Sequence, residues 1–454
     1  MSFSQTSQEY VSKGEKKSLE GDYKAAINYF TLAIDLDSNN KQALFQRAWC
    51  KSEMEYFHGA IIDYLLVIDL DSTNKDAYVN LAWCKVQQEK YSEAVEYYLK
   101  AIEIDSFLVD AYLSIGHCKI NLNEHSEAIE YFYKASILDD KSIDAFQSLG
   151  ICKTEIEEYA EAIIEFTKVL DLNYESLETH FNLGHCKLHL EDYTGAIPHY
   201  NKATILNPGD KYAFLEKGLC KYYLEEYEDA FEDFNSAIEI DDKFSDGYFQ
   251  RGKCLLELGN FKYAIKDLKK TISNEPENLE AYYYKSLANY YQGKYLKAIK
   301  DLDIVLKKDL LYIDAYLLRG ICKRESNDFR GSMNDYYQIL QIEPKNYDAN
   351  FNAAITLANV GYVKDAIKHY NITIETRPND TISYFNRGVC YYSLEDYEEA
   401  TNDFKKTLEI NPEYIDVYFY LAFCKIGEED YRGALIFFNE IIEKNPDHDN
   451  AYLL

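Results

Sequence analysis

The 454-residue chain is 47% apolar and 28% charged, a balance that supports a large buried core and excludes a disordered polar tract as its main content. Its formal charge of -30 opposes the phosphate backbone of nucleic acid and the surface of anionic membranes, so neither is an expected partner. The opening MSFSQT lacks a basic segment followed by an apolar run, and no stretch approaches the roughly 18 apolar residues of a membrane span. A cytoplasmic location is expected.

After a tail at 1–6 the chain reads as one unit repeated. His117-Cys118 and His185-Cys186 stand 68 residues apart, which is twice 34, and steps of 34 collect all ten cysteines: 50, 84, 118, 152, 186, 220, 254, 322, 390 and 424. A frame set at Ser7 gives thirteen 34-residue repeats without insertion or deletion, at 7–40, 41–74, 75–108, 109–142, 143–176, 177–210, 211–244, 245–278, 279–312, 313–346, 347–380, 381–414 and 415–448. Residues 449–454 begin a fourteenth. Positions in the repeat are numbered 1 to 34.

Two helices are predicted in every repeat. Position 8 is always Gly, Ala or Ser, from Gly14 to Ala422, and position 20 is Ala except at Ser332, so two backbones can approach closely there. Position 17 is aromatic except at His125 and Val363, and position 24 is aromatic or Leu. A break near positions 15 and 16 carries Gly21, Gly259, Gly293 or Gly361, and six of the seven prolines stand at position 32, where they end the second helix.

Position 7 is basic in seven repeats, and six of these carry Asp at position 23, whereas none of the repeats with an apolar position 7 does. Antiparallel helices joined near position 15 bring these two positions together, which predicts ion pairs such as Arg47 with Asp63 and Arg387 with Asp403. One thiol per repeat cannot gather a zinc site, and neighbouring helices lie about 8 to 10 Å apart, too far for a disulfide ladder. The cysteines are expected to be small buried side chains in a reducing compartment.

The repeat at 177–210 holds four of the nine histidines, His180, His185, His189 and His199, and Pro198 inside its second helix, where a local kink is expected. His185 and His189 share a helical face, yet two ligands are too few for a metal. Residues 261–310 carry ten Lys against seven acids; a solvated helix face is the expected reading. No phosphate-binding loop, dinucleotide fingerprint, nucleophile elbow or zinc-protease motif occurs, so no catalytic residue, cofactor or metal is expected.

This pattern resembles the tetratricopeptide repeat over residues 7–448. The resemblance implies an all-α fold, an α-solenoid in which antiparallel helix pairs wind into a right-handed superhelix with the first helices lining a concave groove. Positions 2, 5, 6, 9, 12 and 13 would face a partner there. The candidate groove residues are Phe45, Trp49, Asn80, Trp83, Phe181, Asn182, His185, His189, Phe249, Tyr283, Phe351, Asn352, Phe385, Asn386 and Phe419, the composition expected of interface anchors. Position 2 is acidic in nine repeats, which favours a basic partner.

The asparagines at position 6 are similar to the ladder by which some members of that family hold a peptide backbone, but here they are interrupted. No repeat has Lys at position 5 or a basic residue at position 2, so binding of chaperone C-terminal tails is disfavoured. The expected function is a non-catalytic scaffold that binds an apolar, partly basic segment of another protein. The alternative is homo-oligomeric assembly through the unfinished C-terminal end.

Overall fold

The computed structural model describes residues 6–444. These form 26 α-helices, α1 to α26, with no strand among the described residues. Odd-numbered helices fill positions 1–13 of each repeat and even-numbered ones positions 17–30, as in α1 (Ser7–Leu19) and α2 (Tyr23–Leu36), with ends shifting by one residue in α5 (Lys75–Val86), α10 (Tyr159–Asp171) and α25 (Asp416–Gly427). The helix pairs recur at the 34-residue spacing through the described residues. The start of the fourteenth, on which end-to-end association would rest, lies outside the described residues.

The chain packs as two compact units, Met1–Ile240 and Asp241–Leu454. In each, a helix packs antiparallel against its successor, and each repeat shares its core with the next. In the first unit Leu44, Ala48, Tyr64 and Val67 of one repeat cluster with Ala77, Leu81 and Cys84 of the following one. In the second, Leu302 and Val305 cluster with Ala315 and Cys322. A lone hairpin leaves half of this surface in water, so the array is stabilised by neighbour contacts.

The ring at position 24 sits under the small residue at position 8. A Cβ added at Gly150 would lie 2.6 Å from the Phe166 ring, and one at Gly14 would lie 2.5 Å from Phe30. Both rings are fully buried, each stabilising by about 1.5–3 kcal/mol. The turn between the helices closes through position 15, which has positive φ in all thirteen repeats. Only four of these residues are glycine; Glu55 (φ 57°) and Asn123 (φ 59°) accept the same strained conformation. The backbone NH of position 16 then donates to the carbonyl of position 11, as Asp22 does to Lys17.

All six expected ion pairs form. Arg47 grips Asp63 with two bonds of 2.8 Å, and Arg387 grips Asp403 at 2.6 and 2.8 Å. The pairs Lys217–Asp233 (2.7 Å), Arg251–Asp267 (2.7 Å), Lys285–Asp301 (2.9 Å) and Arg319–Asp335 (2.7 Å) complete the set. The structure adds a second partner that sequence spacing did not indicate. The free Nη1 of Arg47, Arg319 and Arg387 reaches back to position 25 of the preceding repeat, donating to Thr31 (3.2 Å), Asp303 (2.7 Å) and Asn371 (2.6 Å). Each arginine thus joins three helices.

All ten cysteines are free and buried at position 10. Burial pushes the thiols up, to about 12 for Cys84, Cys152, Cys220 and Cys322 and to about 11 for Cys118, Cys390 and Cys424. Helix α12 (Tyr193–Leu206) runs through the exposed Pro198.

Two outcomes are expected. Arg387→Leu leaves Asp403 buried without its partner and costs about 3–5 kcal/mol, whereas adding Asp403→Tyr, which reproduces the Leu81/Tyr97 pairing of the third repeat, recovers most of it; amide-exchange protection across residues 381–410 reads both. In a thiol titration at neutral pH the ten cysteines stay silent until denaturant is added, and prompt reaction of the native protein would contradict their burial.

Candidate protein-binding groove

Successive first helices touch one another in both units, α1 against α3 (Lys41–Glu53) and α15 (Ser245–Glu257) against α17 (Leu279–Tyr291). Between α1 and α3 lies a cleft of about 480 Å³ lined by Glu15, Ser18, Leu19, Phe45, Gln46 and Trp49. These are positions 9, 12 and 13 of one repeat and 5, 6 and 9 of the next, the set expected to face a partner. Leu19 is 90% exposed, an aliphatic side chain held in water at the mouth. Sequence reading did not single it out, although position 13 is polar in most other repeats and the anomaly was visible.

The aromatic anchors divide their surface between core and solvent. Phe45 is half-buried and packs edge-on against Tyr64 at 5.5 Å. Trp49 stands edge-on to Tyr23 at 5.6 Å, and Trp83, 40% exposed, to Phe57 at 5.7 Å. The aromatic at position 17 therefore props up the first helix of the following repeat. The same position stacks on position 13 in Tyr159–His189 (4.8 Å), Tyr193–Tyr223 (5.0 Å) and Phe261–Tyr291 (5.1 Å).

Some expected groove residues are committed elsewhere. Phe249 is only 8% exposed and packs against Tyr284, so it belongs to the core. Phe385 is half-buried among Phe404, Tyr414 and Tyr420, at 5.0 to 6.0 Å, and Tyr283 lies against Tyr284 and Tyr312 at 5.5 Å. Phe181, Phe351 and Phe419 are half-buried and pack on Tyr200, Tyr370 and Phe438 of their own second helices. Phe181, Phe351, Phe385 and Phe419 lie beside the ring at position 24, whereas the repeats of Phe249 and Tyr283 have Leu268 and Leu302 there, and these two pack on tyrosines instead.

The asparagines are also partly used. Asn80 and Asn352 donate to the carbonyls of Asp76 and Asp348, both at 2.8 Å, and Asn352 accepts from Arg324 at 2.9 Å. Asn80, Asn182 and Asn386 are all half-buried. All nine acids at position 2 are exposed. Glu178 accepts from Gln147 at 2.5 Å, and His117 holds the Asp144 carboxyl below its usual range.

The histidines of the 177–210 repeat split into two pairs. His185 and His189 sit edge to face at 4.4 Å, with Tyr159 stacked on His189. His180 and His199, at positions 4 and 23, place their Nδ1 atoms 3.3 Å apart, one donating and one accepting. Burial pulls His199 down to about 4, with the neighbouring His180 adding to it, and burial lowers His180 as well. No group of three potential metal ligands occurs among the described residues.

Models of the tetratricopeptide repeat match residues 10–40, 76–107, 109–140, 155–211, 249–309, 382–414 and 416–448, more than half of the chain. The chain belongs to the tetratricopeptide repeat family. Among solved structures it is similar to YrrB, described as a TPR protein with an unusual peptide-binding site, at 26% identity over 41% of this chain and 96% of that one, with a TM-score of 0.38. It is similar to a tetratricopeptide repeat protein from Parabacteroides merdae at 18% identity, over 55% of this chain and 98% of that one (TM-score 0.43). A third likeness is to the APC/C hetero-tetramer Cut9-Hcn1, at 14% identity over 97% and 93% of the two chains (TM-score 0.41). No curated protein matches the chain.

Between about pH 6.5 and pH 4 the unfolded chain binds a proton that His199, half-buried beside His180, refuses. Stability is therefore full above that window and falls as pH drops through it. Replacing both histidines by Tyr, as at Tyr78 and Tyr97 of the third repeat, is expected to shrink the fall in Tm between pH 7.5 and pH 5; an identical fall in the variant would remove the pair from the account.

Proposed function

We propose that the chain is a non-catalytic interaction scaffold that holds an apolar, partly basic segment of another protein against the faces of its first helices. The observation that carries this reading is the cleft between α1 and α3, whose lining combines the apolar Leu19, Phe45 and Trp49 with the polar Glu15, Ser18 and Gln46. Exposed aliphatic and aromatic side chains held by a rigid frame are the usual anchors of an interface, and the exposed acids at position 2 favour Lys or Arg in the bound segment.

Trp83, 40% exposed, continues the face into the third repeat, and His185 and His189 present a polar stretch in the 177–210 repeat. The absence of a basic position 2 and of Lys at position 5 disfavours anionic C-terminal tails as ligands. Ten free thiols suit a reducing, cytoplasmic setting, and no helix among the described residues is long and apolar enough to cross a membrane.

Trp49 and Trp83 are the only tryptophans of the chain, so its own fluorescence reports on the face. Selection of a random peptide display library on the full chain is expected to enrich peptides that combine apolar side chains with Lys or Arg and shift tryptophan emission. Phe45→Ala with Leu19→Ser should weaken them by about tenfold or more. Enriched peptides that bind this variant equally well would overturn the reading.

A further inference from the structure

The chain carries 78 acids against 48 bases, yet its second unit holds a cavity of the opposite character. The cavity, about 610 Å³, opens between α16 (Phe261–Asn274), α17 and α18 (Tyr295–Lys308), and seven of its eleven lining residues are lysine. Its single acid is Asp301. Helical spacing gathers the charges. Lys262, Lys266 and Lys269 lie along one face of α16, Lys297 and Lys300 project from α18, and Lys285 comes from α17 between them.

These lysines are a local reversal of the repeat. Lys266 and Lys300 share position 22, where Glu96, Glu130 and Glu232 stand in other repeats, and Lys297 replaces the acid found at position 19 in Glu93, Glu127 and Glu399. In other repeats the lysine at position 11 is compensated: Lys51, Lys221 and Lys323 each reach the Asp at position 23, at 2.6 to 2.8 Å. Here Lys285 alone has that partner, Asp301 at 2.9 Å, and Asn289 takes the place of the second lysine. Lys294 donates to Gln292. The other five, all exposed, make no ion pair among the described residues. Seven like charges collected around one cavity, with Asp301 the only acid in its lining, leave a site for an anion.

We propose that this cavity binds a compact anion bearing several phosphates. Its volume is that of a small-ligand site. Phosphate concentrates up to two charges on one tetrahedral head, and the lysine ammonium is a point-charge donor suited to it. No aromatic side chain lines the cavity to stack a nucleic-acid base, and a long polyanion would run out over an acidic surface. The same phosphates could be free in solution or carried on a lipid headgroup. The site uses second-helix positions such as 18, 22 and 25, so it is separate from the first-helix face proposed to hold a protein partner.

The test is calorimetric titration of the full chain with inorganic tripolyphosphate at low and high salt, beside Lys266→Glu/Lys300→Glu and a control, Lys364→Glu/Lys405→Glu, that makes the same charge change on other second helices. The expected result is one site that weakens with salt and falls by about tenfold or more in the cavity variant only. Sedimentation with vesicles of phosphatidylcholine, with and without phosphatidylinositol bisphosphate, separates the sources: phosphoinositide-dependent capture assigns a headgroup, and binding of tripolyphosphate alone a soluble ligand. Three results overturn the proposal: no tripolyphosphate binding, equal loss in the control, or equal affinity for a polyglutamate peptide. An unchanged melting curve in both variants keeps a folding defect from imitating the loss.

Discussion

The structure depends on one close approach, between a small residue at position 8 of the first helix and a ring at position 24 of the second. Eight of the thirteen repeats have glycine at position 8, and at each a Cβ would fall within 3 Å of the side chain opposite. The ring occupies the volume that a side chain would have filled, so the distance between the two helices is set by its thickness. From the second repeat on, position 10 holds a small buried side chain, a cysteine everywhere except at Ala288 and Thr356. The left-handed residue at position 15 follows from the same constraint. The turn must reverse the chain within the span that the ring defines, and glutamate accepts positive φ there because packing on both sides over-determines it.

The arginines at position 7 transmit that local order along the array. A guanidinium has five donors in a fixed fork; two are spent on the aspartate of its own second helix, and a third reaches the second helix before it. Lysine, a single ammonium, pairs with the aspartate alone in Lys217 and Lys285. Such buried pairs specify geometry more than they add stability. Repeats that lack them substitute Leu81 with Tyr97, or the hydrogen-bonded pairs His180–His199 and Asn350–His369, the latter at 2.8 Å.

Function follows from which face each helix leaves over. The first helices spend part of positions 5 and 9 on packing and show the remainder, most openly in the first and second repeats, where Leu19 and Trp49 flank a cleft. Several second helices show acids outside, such as Glu93, Glu127 and Glu232, where the lysine-lined cavity of the second unit shows bases, a reversal that packing alone does not require. The first-helix cleft is the more apolar of the two surfaces and the second-unit cavity the more basic. They sit on different positions of the repeat, so each can vary without disturbing the other.

The fold was legible in the sequence because its contacts are local and periodic. Helix ends, the interior register and the six ion pairs follow from a 34-residue period and the geometry of two antiparallel helices, so the signal is repeated thirteen times. The site was legible only in part. Periodicity names a position's direction but not how much of a large side chain its neighbours cover: Phe249 is swallowed by Tyr284 and Phe385 is enclosed by three rings, whereas Trp83 and Leu19 stay open. The lysines of 261–310 were visible as a composition, but only packing gathered residues 38 positions apart around one cavity. Sequence by itself determined the repeat, its helices and its charge pairs, because each rests on spacing along a single chain. Tertiary structure decided which side chains remain accessible, because accessibility is set by residues a repeat away whose identities vary.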